Sequence, residues 1–414
     1  MRRRPLTGRH EYPMRIFFIC RRVPYPPDRG DKIATFNVIR HLARRHEVHV
    51  FCLADGKSDL ANTGGLDGDA KSVTAVPVSA AAIRRRAATA LLTGEPLSVA
   101  ALAEAGLHAA IKQKYDALAP DLILVYSSNV AQFAEHFPLA PRIMQFGDLD
   151  SLKWRQYAER SPVPMKWVYA AEERRLLAYE RHIAHEFSAS LVHTAAERRD
   201  FERLIPGVPV AVVGNGVDLD HFRPTGRAKE PGGVVFTGVM DYRPNADAVS
   251  WFCEEVLPRV RAEVPQAHLT ICGSRPSRAV RRLASRPGVR VTGRVPDTRL
   301  YLDAAEVFVA PLRMARGIQN KVLEALAMGL PCVASMAAWQ GTGLASGEGI
   351  LAADDAAEFA GHVLALLRDD AYRAAMAAQA RAAVETHYRW ETRLAELDRV
   401  IDGLLPEPAR RITG

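Results

Sequence analysis

The sequence has no hydrophobic run long enough to cross a bilayer. A spanning helix needs roughly 20 apolar residues in a row, and the alanine-rich stretch that comes nearest, residues 80–90, is broken by Arg84, Arg85 and Arg86. A secretory leader is missing as well. Arg2, Arg3 and Arg4 are followed by no apolar segment before Pro13, where a signal needs about 7–15 apolar residues. This predicts a cytoplasmic protein, with residues 1–13 as a disordered leader and Met14 as an alternative start. Cysteine is scarce: Cys20, Cys52, Cys253, Cys272 and Cys332 are scattered, odd in number and set in apolar runs. They read as buried, reduced thiols. No Gly-x-Gly-x-x-Gly fingerprint, Walker loop or Gly-x-Ser-x-Gly elbow occurs, which removes the usual support for dinucleotide, P-loop or serine-hydrolase chemistry. His182, His185 and Glu186 mimic metal spacing on an arginine-rich helix but have no third ligand, so no metal and no cofactor are expected.

What is present is a chain of 414 residues, 48% apolar and 25% charged, which suits two domains better than one core. The net charge of +8 falls almost wholly in the first half. Such a basic half suits nucleic acid or anionic lipid. The arginines are interleaved with acids and no nucleic-acid motif accompanies them, so no nucleic-acid partner is expected. The segment Arg84–Leu107, headed by arginines and amphipathic, could rest peripherally on an anionic membrane or be ordinary crossover helix.

Short β-branched runs alternate with helical stretches throughout. Strands are predicted at 15–20, 48–53, 72–78, 121–126 and 142–146, and helices at 31–45, 83–92 and 98–118. The second half repeats the pattern, with strands at 233–237, 268–272, 289–292, 307–310 and 332–334. Helices fall between them near 246–262, 278–284, 298–304 and 320–328. This alternation implies an α/β protein of two Rossmann-like doubly wound domains. Glycine and proline cluster at 205–230. The expected division is therefore an N-terminal Rossmann-like domain over 14–208 and a C-terminal Rossmann-like domain over 209–388. A helix over 389–405 is expected to pack back toward the first domain, and 406–414 to be a tail. A ligand is expected in the cleft between the domains, at the carboxyl ends of the strands.

Two loops carry the chemistry. In VPYPPDRGDK (23–32), Gly30 lets the backbone approach a ligand closely and the following helix offers its amides to an anion, although Asp31 could simply cap that helix. In RMARGIQNKVLEALAMGLPCVAS (313–335), Gly317 precedes a helix bearing Lys321, suited to phosphate, and Glu324, whose two carboxylate oxygens suit the two hydroxyls of a ribose. The apolar neighbours of Glu324 predict that it is partly buried. Asp148 and Asp150 in FGDLDS follow a strand. They are candidates for the active site or for capping the next helix, and Asp241 is a candidate of the same standing. Ser127, Ser128 and Asn129 end another strand.

The 313–335 segment resembles the donor-binding stretch of retaining glycosyltransferase family four, whose pattern is Glu-Gly-Phe-Gly-x-x-x-x-Glu-Ala and then Gly-x-Pro-Val-Val-Ala. The second Glu falls on Glu324, while Arg316 stands in place of the first. VVGNGVDLDHFRP (212–224) is similar to the family's hinge. FTGVMDYRPNADAVSWF (236–252) is similar to its first strand-turn-helix, where Val239 and Asn245 replace the usual Arg and Lys. Together with VPYPPDRGDK, FGDLDSLKW and ARGIQNKVLEA, the match narrows to sugar transferases of bacterial exosortase (PEP-CTERM) exopolysaccharide loci, over residues 14–405. The resemblance implies a GT-B fold and retaining, metal-independent transfer from a nucleotide diphosphate sugar to a glycan or lipid-linked acceptor. The implied catalytic residues are Asp148, Arg243, Arg316 and Lys321. The donor site would comprise Gly30, Gly238, Arg243, Gly317, Lys321 and Glu324, and the acceptor side Asp31, Lys32, Ser127 and Asp150. A nucleotide-sugar epimerase on the same fold and a non-catalytic basic nucleic-acid binder are the rival readings.

Overall fold

The computed structural model describes residues 13–315 and 317–404; Arg316, nearly all of the expected leader and the expected tail lie outside them. The chain divides into two compact units. One runs to Gly214 and resumes at Leu394, and the other spans Asn215–Arg393.

The first unit is built on a seven-stranded sheet. Its strands are β1 (Arg15–Cys20), β2 (Glu47–Ala54), β3 (Ser72–Pro77), β4 (Leu122–Tyr126), β5 (Arg142–Gly147), β6 (Ala189–Val192) and β7 (Val210–Val212). Their spatial order is β3-β2-β1-β4-β5-β6-β7, and every pairing is parallel. Strands covered on both faces need apolar residues at every position rather than alternation. RIFFIC and LILVY supply them, and Phe17, Ile19, Ile123 and Val125 are fully buried in one core. The last helix, Trp390–Leu404, contributes Asp398 to this unit, where it meets His41 Nε2 at 2.8 Å.

The second unit has a six-stranded parallel sheet ordered β10-β9-β8-β11-β12-β13. Its strands are β8 (Gly233–Thr237), β9 (His268–Cys272), β10 (Val289–Gly293), β11 (Val307–Ala310), β12 (Cys332–Ala334) and β13 (Ile350–Ala352). In each sheet the order reverses beside the first strand, between β1 and β4 and between β8 and β11. The loops leaving the strand ends at that switch point are where such sheets bind ligands. The five cysteines are free and buried.

Three expectations need correcting. The single helix expected over 98–118 is two, Leu97–Ala100 and Ala105–Leu118. The buried Glu172 carboxylate accepts from the amides of Leu97 and Ser98 (2.6 and 2.9 Å) and fixes a separate short turn there. The helix expected over 246–262 contains a π turn, Phe252–Val256, between Arg243–Trp251 and Leu257–Glu263. Asp31 is not the cap of its helix. Gly30–Ala43 begins one residue earlier with Arg29 as N-cap and no side-chain cap, because the Asp31 carboxylate is held by Arg22.

The turns after β8 and β9 meet backbone to backbone. A Cβ added to Gly273 would lie 1.7 Å from the Gly238 carbonyl oxygen, and backbone cannot yield as a side chain tip can. Gly273→Ala is therefore expected to destabilise the second unit by about 3 kcal/mol or more, the upper range of overpacking. Urea unfolding followed by circular dichroism checks it.

Candidate functional site

The second unit gathers its chemistry at the end of β8. The strand delivers Gly238, where an added Cβ would fall 2.7 Å from Asn245 Nδ2 and 3.2 Å from Lys321 Nζ. Asn245 is buried in the first turn of Arg243–Trp251. Its Nδ2 donates to the Val239 carbonyl (2.9 Å), and its Oδ1 accepts from Lys321 Nζ at 2.5 Å. The same ammonium lies 4.8 Å from the centre of the Phe236 ring, a cation–π contact.

Lys321 comes from the helix Asn320–Ala327, whose Val322, Leu323, Ala325 and Leu326 are buried in the core. That apolar stripe leaves Lys321 and Glu324, three residues apart and hence on one face, on the half-buried side. Burial draws the Lys321 pKa down to about 8, against the opposing pull of Glu324. Burial pushes Glu324 up to about 7, partly offset by Lys321. No side chain caps the start of this helix, and a helix start without a cap offers its first amides to an anion. Asn215 Nδ2 donates to Asn320 Oδ1 at 3.0 Å and pins the helix start. Gly317 has φ +63, and its carbonyl sits 2.2 Å from where a Cβ on Gly341 would be.

Among the donor-side candidates, Gly238, Lys321 and Glu324 thus belong to one neighbourhood. Arg243 is exposed at the first position of its helix. Arg313 is held by Asp247 through two bonds of 3.0 and 2.5 Å, and Asp241 pairs with Arg275 at 3.1 Å. Arg316 falls outside the described residues.

The first unit carries a separate charged cluster at its own strand ends. Arg22, the second residue past β1, binds Asp31 at 2.5 Å and Asp55 at 3.1 Å. Burial favours the neutral form of Asp31, but Arg22 and Arg29 outweigh it and hold its pKa below the usual range. Lys32 is buried and paired with Asp59 at 3.2 Å. Gly30 is exposed at the first position of its helix. At the end of β4, the Tyr126 hydroxyl lies 3.0 Å from His193 Nε2. Burial, with Asp31 and Asp148 adding to it, raises the Tyr126 pKa well above normal. Ser127 has φ +88, uncommon for a residue with a Cβ, and its hydroxyl donates to Asn129 Oδ1 at 3.1 Å. Asp150 starts the helix Asp150–Glu159 and pairs with Lys153. Glu180, fully buried, accepts from the Ser151 hydroxyl at 2.5 Å; burial raises its pKa to about 8.

Asn245, Gly273 and the Arg22–Tyr126–His193 group were not singled out as site residues by sequence. The switch-point rule applied to the residue just past each strand would have pointed to Arg21, Arg22 and Gly273. Nothing local marks His193. Among the described residues, no group of three or more His, Cys, Asp or Glu side chains is arranged to hold a metal.

Comparison with solved structures places the fold. The chain aligns over 94% of its length with all of HepE from Anabaena, solved with UDP, at 16% identity and a TM-score of 0.66. It aligns over 94% with 99% of sucrose-phosphate synthase from Thermosynechococcus elongatus, at 17% identity and 0.70. WaaG, a glycosyltransferase of lipopolysaccharide biosynthesis, matches 93% of the chain with 99% of its own, at 16% identity and 0.64. The fold is GT-B. Residues 231–369, the segment that holds Gly238, Lys321 and Glu324, match the family described as "Glycosyl transferases group 1", and the chain is a glycosyltransferase enzyme. No curated protein matches it by sequence.

The pKa shifts set a stability test. Glu324 is raised above its unfolded value of about 4.3. The stability it contributes is therefore complete below that pH and lost as pH rises through about 7. Lys321 is depressed below its unfolded value of about 10.4, so its contribution is present above that pH and lost as pH falls through about 8. Glu324→Gln is expected to lessen the loss of stability that the wild type shows between about pH 5 and about pH 8, leaving the part that Glu180 and Glu197, both raised to about 8, contribute. Urea midpoints across that range measure it.

Proposed function

We propose that this chain moves a sugar from a nucleoside diphosphate sugar to a glycan or lipid-linked acceptor, with retention at the anomeric carbon and without a metal ion. One observation carries the reading. Lys321 is held by Asn245 against the Gly238 turn, with Glu324 on the same helix face, at the end of β8 in the glycosyltransferase segment. In the chemistry proposed, the departing diphosphate gains charge as the sugar becomes oxocarbenium-like. Lys321, Arg243, Arg316 and the uncapped helix start at Asn320 would meet that charge, and a preformed cradle avoids reorganisation during the step. Gly238 and Gly317 would let the backbone come close to the donor, and Glu324 would accept from both ribose hydroxyls.

On the acceptor side, Gly30 would border the diphosphate, with Asp31, Lys32, Ser127 and Asp150 ordering the acceptor and Asp148 closest to the reacting hydroxyl. The Arg22 and Asp59 pairs support Asp31 and Lys32 as residues that order this edge. The resemblance of VPYPPDRGDK, FGDLDSLKW and ARGIQNKVLEA to exosortase-associated transferases supports a role in exopolysaccharide synthesis. It also supports a place at the inner face of the plasma membrane, reached peripherally. Among the described residues no helix is long and apolar enough to cross a membrane. The helix Ala80–Thr93, with three arginines and no acid, supports contact with anionic lipid.

Calorimetric titration of UDP- and GDP-sugars in EDTA tests the donor site. One donor class is expected to bind, and Glu324→Ala to weaken it about 10- to 100-fold, the worth of hydrogen bonds to a charged group. Unchanged affinity in that variant would remove Glu324 from the site. Affinity should also be bell-shaped in pH, falling below about 7 as Glu324 protonates and above about 8 as Lys321 loses its charge. Lys321→Met is expected to lose the alkaline limb.

A further inference from the structure

Within the first unit, two helices pack closely as a hairpin: Asp150–Glu159 and Met165–Glu186. The tip, made of the joining residues and the first turn of the second helix, reads Pro162-Val163-Pro164-Met165-Lys166-Trp167, and all six residues are exposed. Val163 is 56% exposed, Met165 41% and Trp167 66%. Such a run is unusual for a turn, which is ordinarily polar. The residues are not turned outward for want of packing nearby. Just below the tip, Trp154, Tyr157 and Tyr169 join the two helices with ring centroids 5.5–5.9 Å apart, and that cluster holds the hairpin without them.

A second apolar end lies on the same unit. Leu91 and Leu92 close the helix Ala80–Thr93 at 52% and 90% exposure. Arg175 Nη1 donates to the Ala90 carbonyl at 3.3 Å, which ties that end to the hairpin about two helical turns from Trp167. The charges around these residues favour an anionic partner. Arg160 and Lys166 flank the tip beside Glu159, while Arg84 and Arg85 are exposed on a helix without acids. Of the other nearby acids, Glu172 is occupied by amides and Glu173 by Arg155.

We infer that the tip of this helical hairpin, Val163, Met165 and Trp167 with Lys166, docks the enzyme onto an anionic lipid bilayer by inserting into its headgroup region. The inference rests on the membrane part of the function proposed above and names the surface that performs it. Tryptophan beside lysine suits the interface, where an apolar ring and a charged head are both satisfied. A second copy of the chain fits less well. The tip's three apolar side chains expose on the order of 300 Å², whereas a stable dimer buries roughly 600–800 Å² on each partner. A turn with every residue exposed also offers no groove for a peptide.

Flotation of the full chain with vesicles tests it, using phosphatidylcholine alone against equal parts phosphatidylcholine and phosphatidylglycerol. The wild type is expected to float with the anionic vesicles, and less as salt is raised. Val163→Ser, Met165→Ser and Trp167→Ser combined should cut the bound fraction about 10-fold, with the melting temperature and donor affinity unchanged. Wild-type protein that fails to float overturns both this inference and the membrane reading. A triple variant that floats like wild type overturns the hairpin tip alone, and leaves Arg84→Glu with Arg85→Glu to locate the true surface. A wild-type dimer that the triple variant dissolves to monomer overturns the lipid assignment in favour of self-association.

Discussion

Desolvating one ammonium group against a backbone turn is the constraint on which the second unit's site depends. Lys321 Nζ sits between the Asn245 amide, the face of Phe236 and the Gly238 turn. Each neighbour is there because another demand put it there. Phe236 is a core residue of β8, Asn245 closes the turn by donating to Val239, and Gly238 is glycine because neither Asn245 nor Lys321 leaves room for a Cβ. The backbone of Gly273 in turn lies close against the Gly238 carbonyl, where no Cβ would fit.

Such a site stores cost in the free enzyme. Burial works against the charge on Lys321 and on Glu324, and their mutual attraction returns only part of it. Two buried opposite charges seldom stabilise a fold on balance. They are more useful where an incoming group meets them both: a diphosphate gives the ammonium a full counter-charge, and a diol gives the carboxylate two donors. In the donor binding proposed above, the free energy that burial withholds would be recovered by the ligand that meets both groups. The first unit is organised otherwise. Its strand ends hold Arg22 between Asp31 and Asp55, and Lys32 against Asp59. These charges already have partners, which makes that edge a rigid, ordered surface rather than a strong anion trap.

Much of the architecture could be read from the chain. Runs such as IFFIC, LILVY and VVF are apolar at every position, which only a strand covered on both faces tolerates. Some of the helices end at glycine, as at Gly94 and Gly343. β6, β7 and β13 are three or four residues long, too few positions for a period to show, and were missed, although β11 and β12, no longer, were read. The break in the helix expected over 98–118 was hidden for a different reason. The helical period continues through it, and the carboxylate that anchors the start of the short first helix belongs to Glu172, more than 70 residues later.

By itself the sequence determined the two doubly wound units, the helix that presents Lys321 and Glu324 on one face, and the glycines at the strand ends. All of these follow from local periodicity and backbone freedom, which neighbours along the chain decide. Tertiary structure alone decided that Asn245, 76 residues before Lys321, would be the group that holds it. It alone decided that Arg22 would take Asp31 away from its helix cap, and that Val163, Met165 and Trp167 would be left facing solvent. Whether a polar or apolar side chain is satisfied depends on what the fold brings beside it, and that is a property of distance in space rather than of position in the chain.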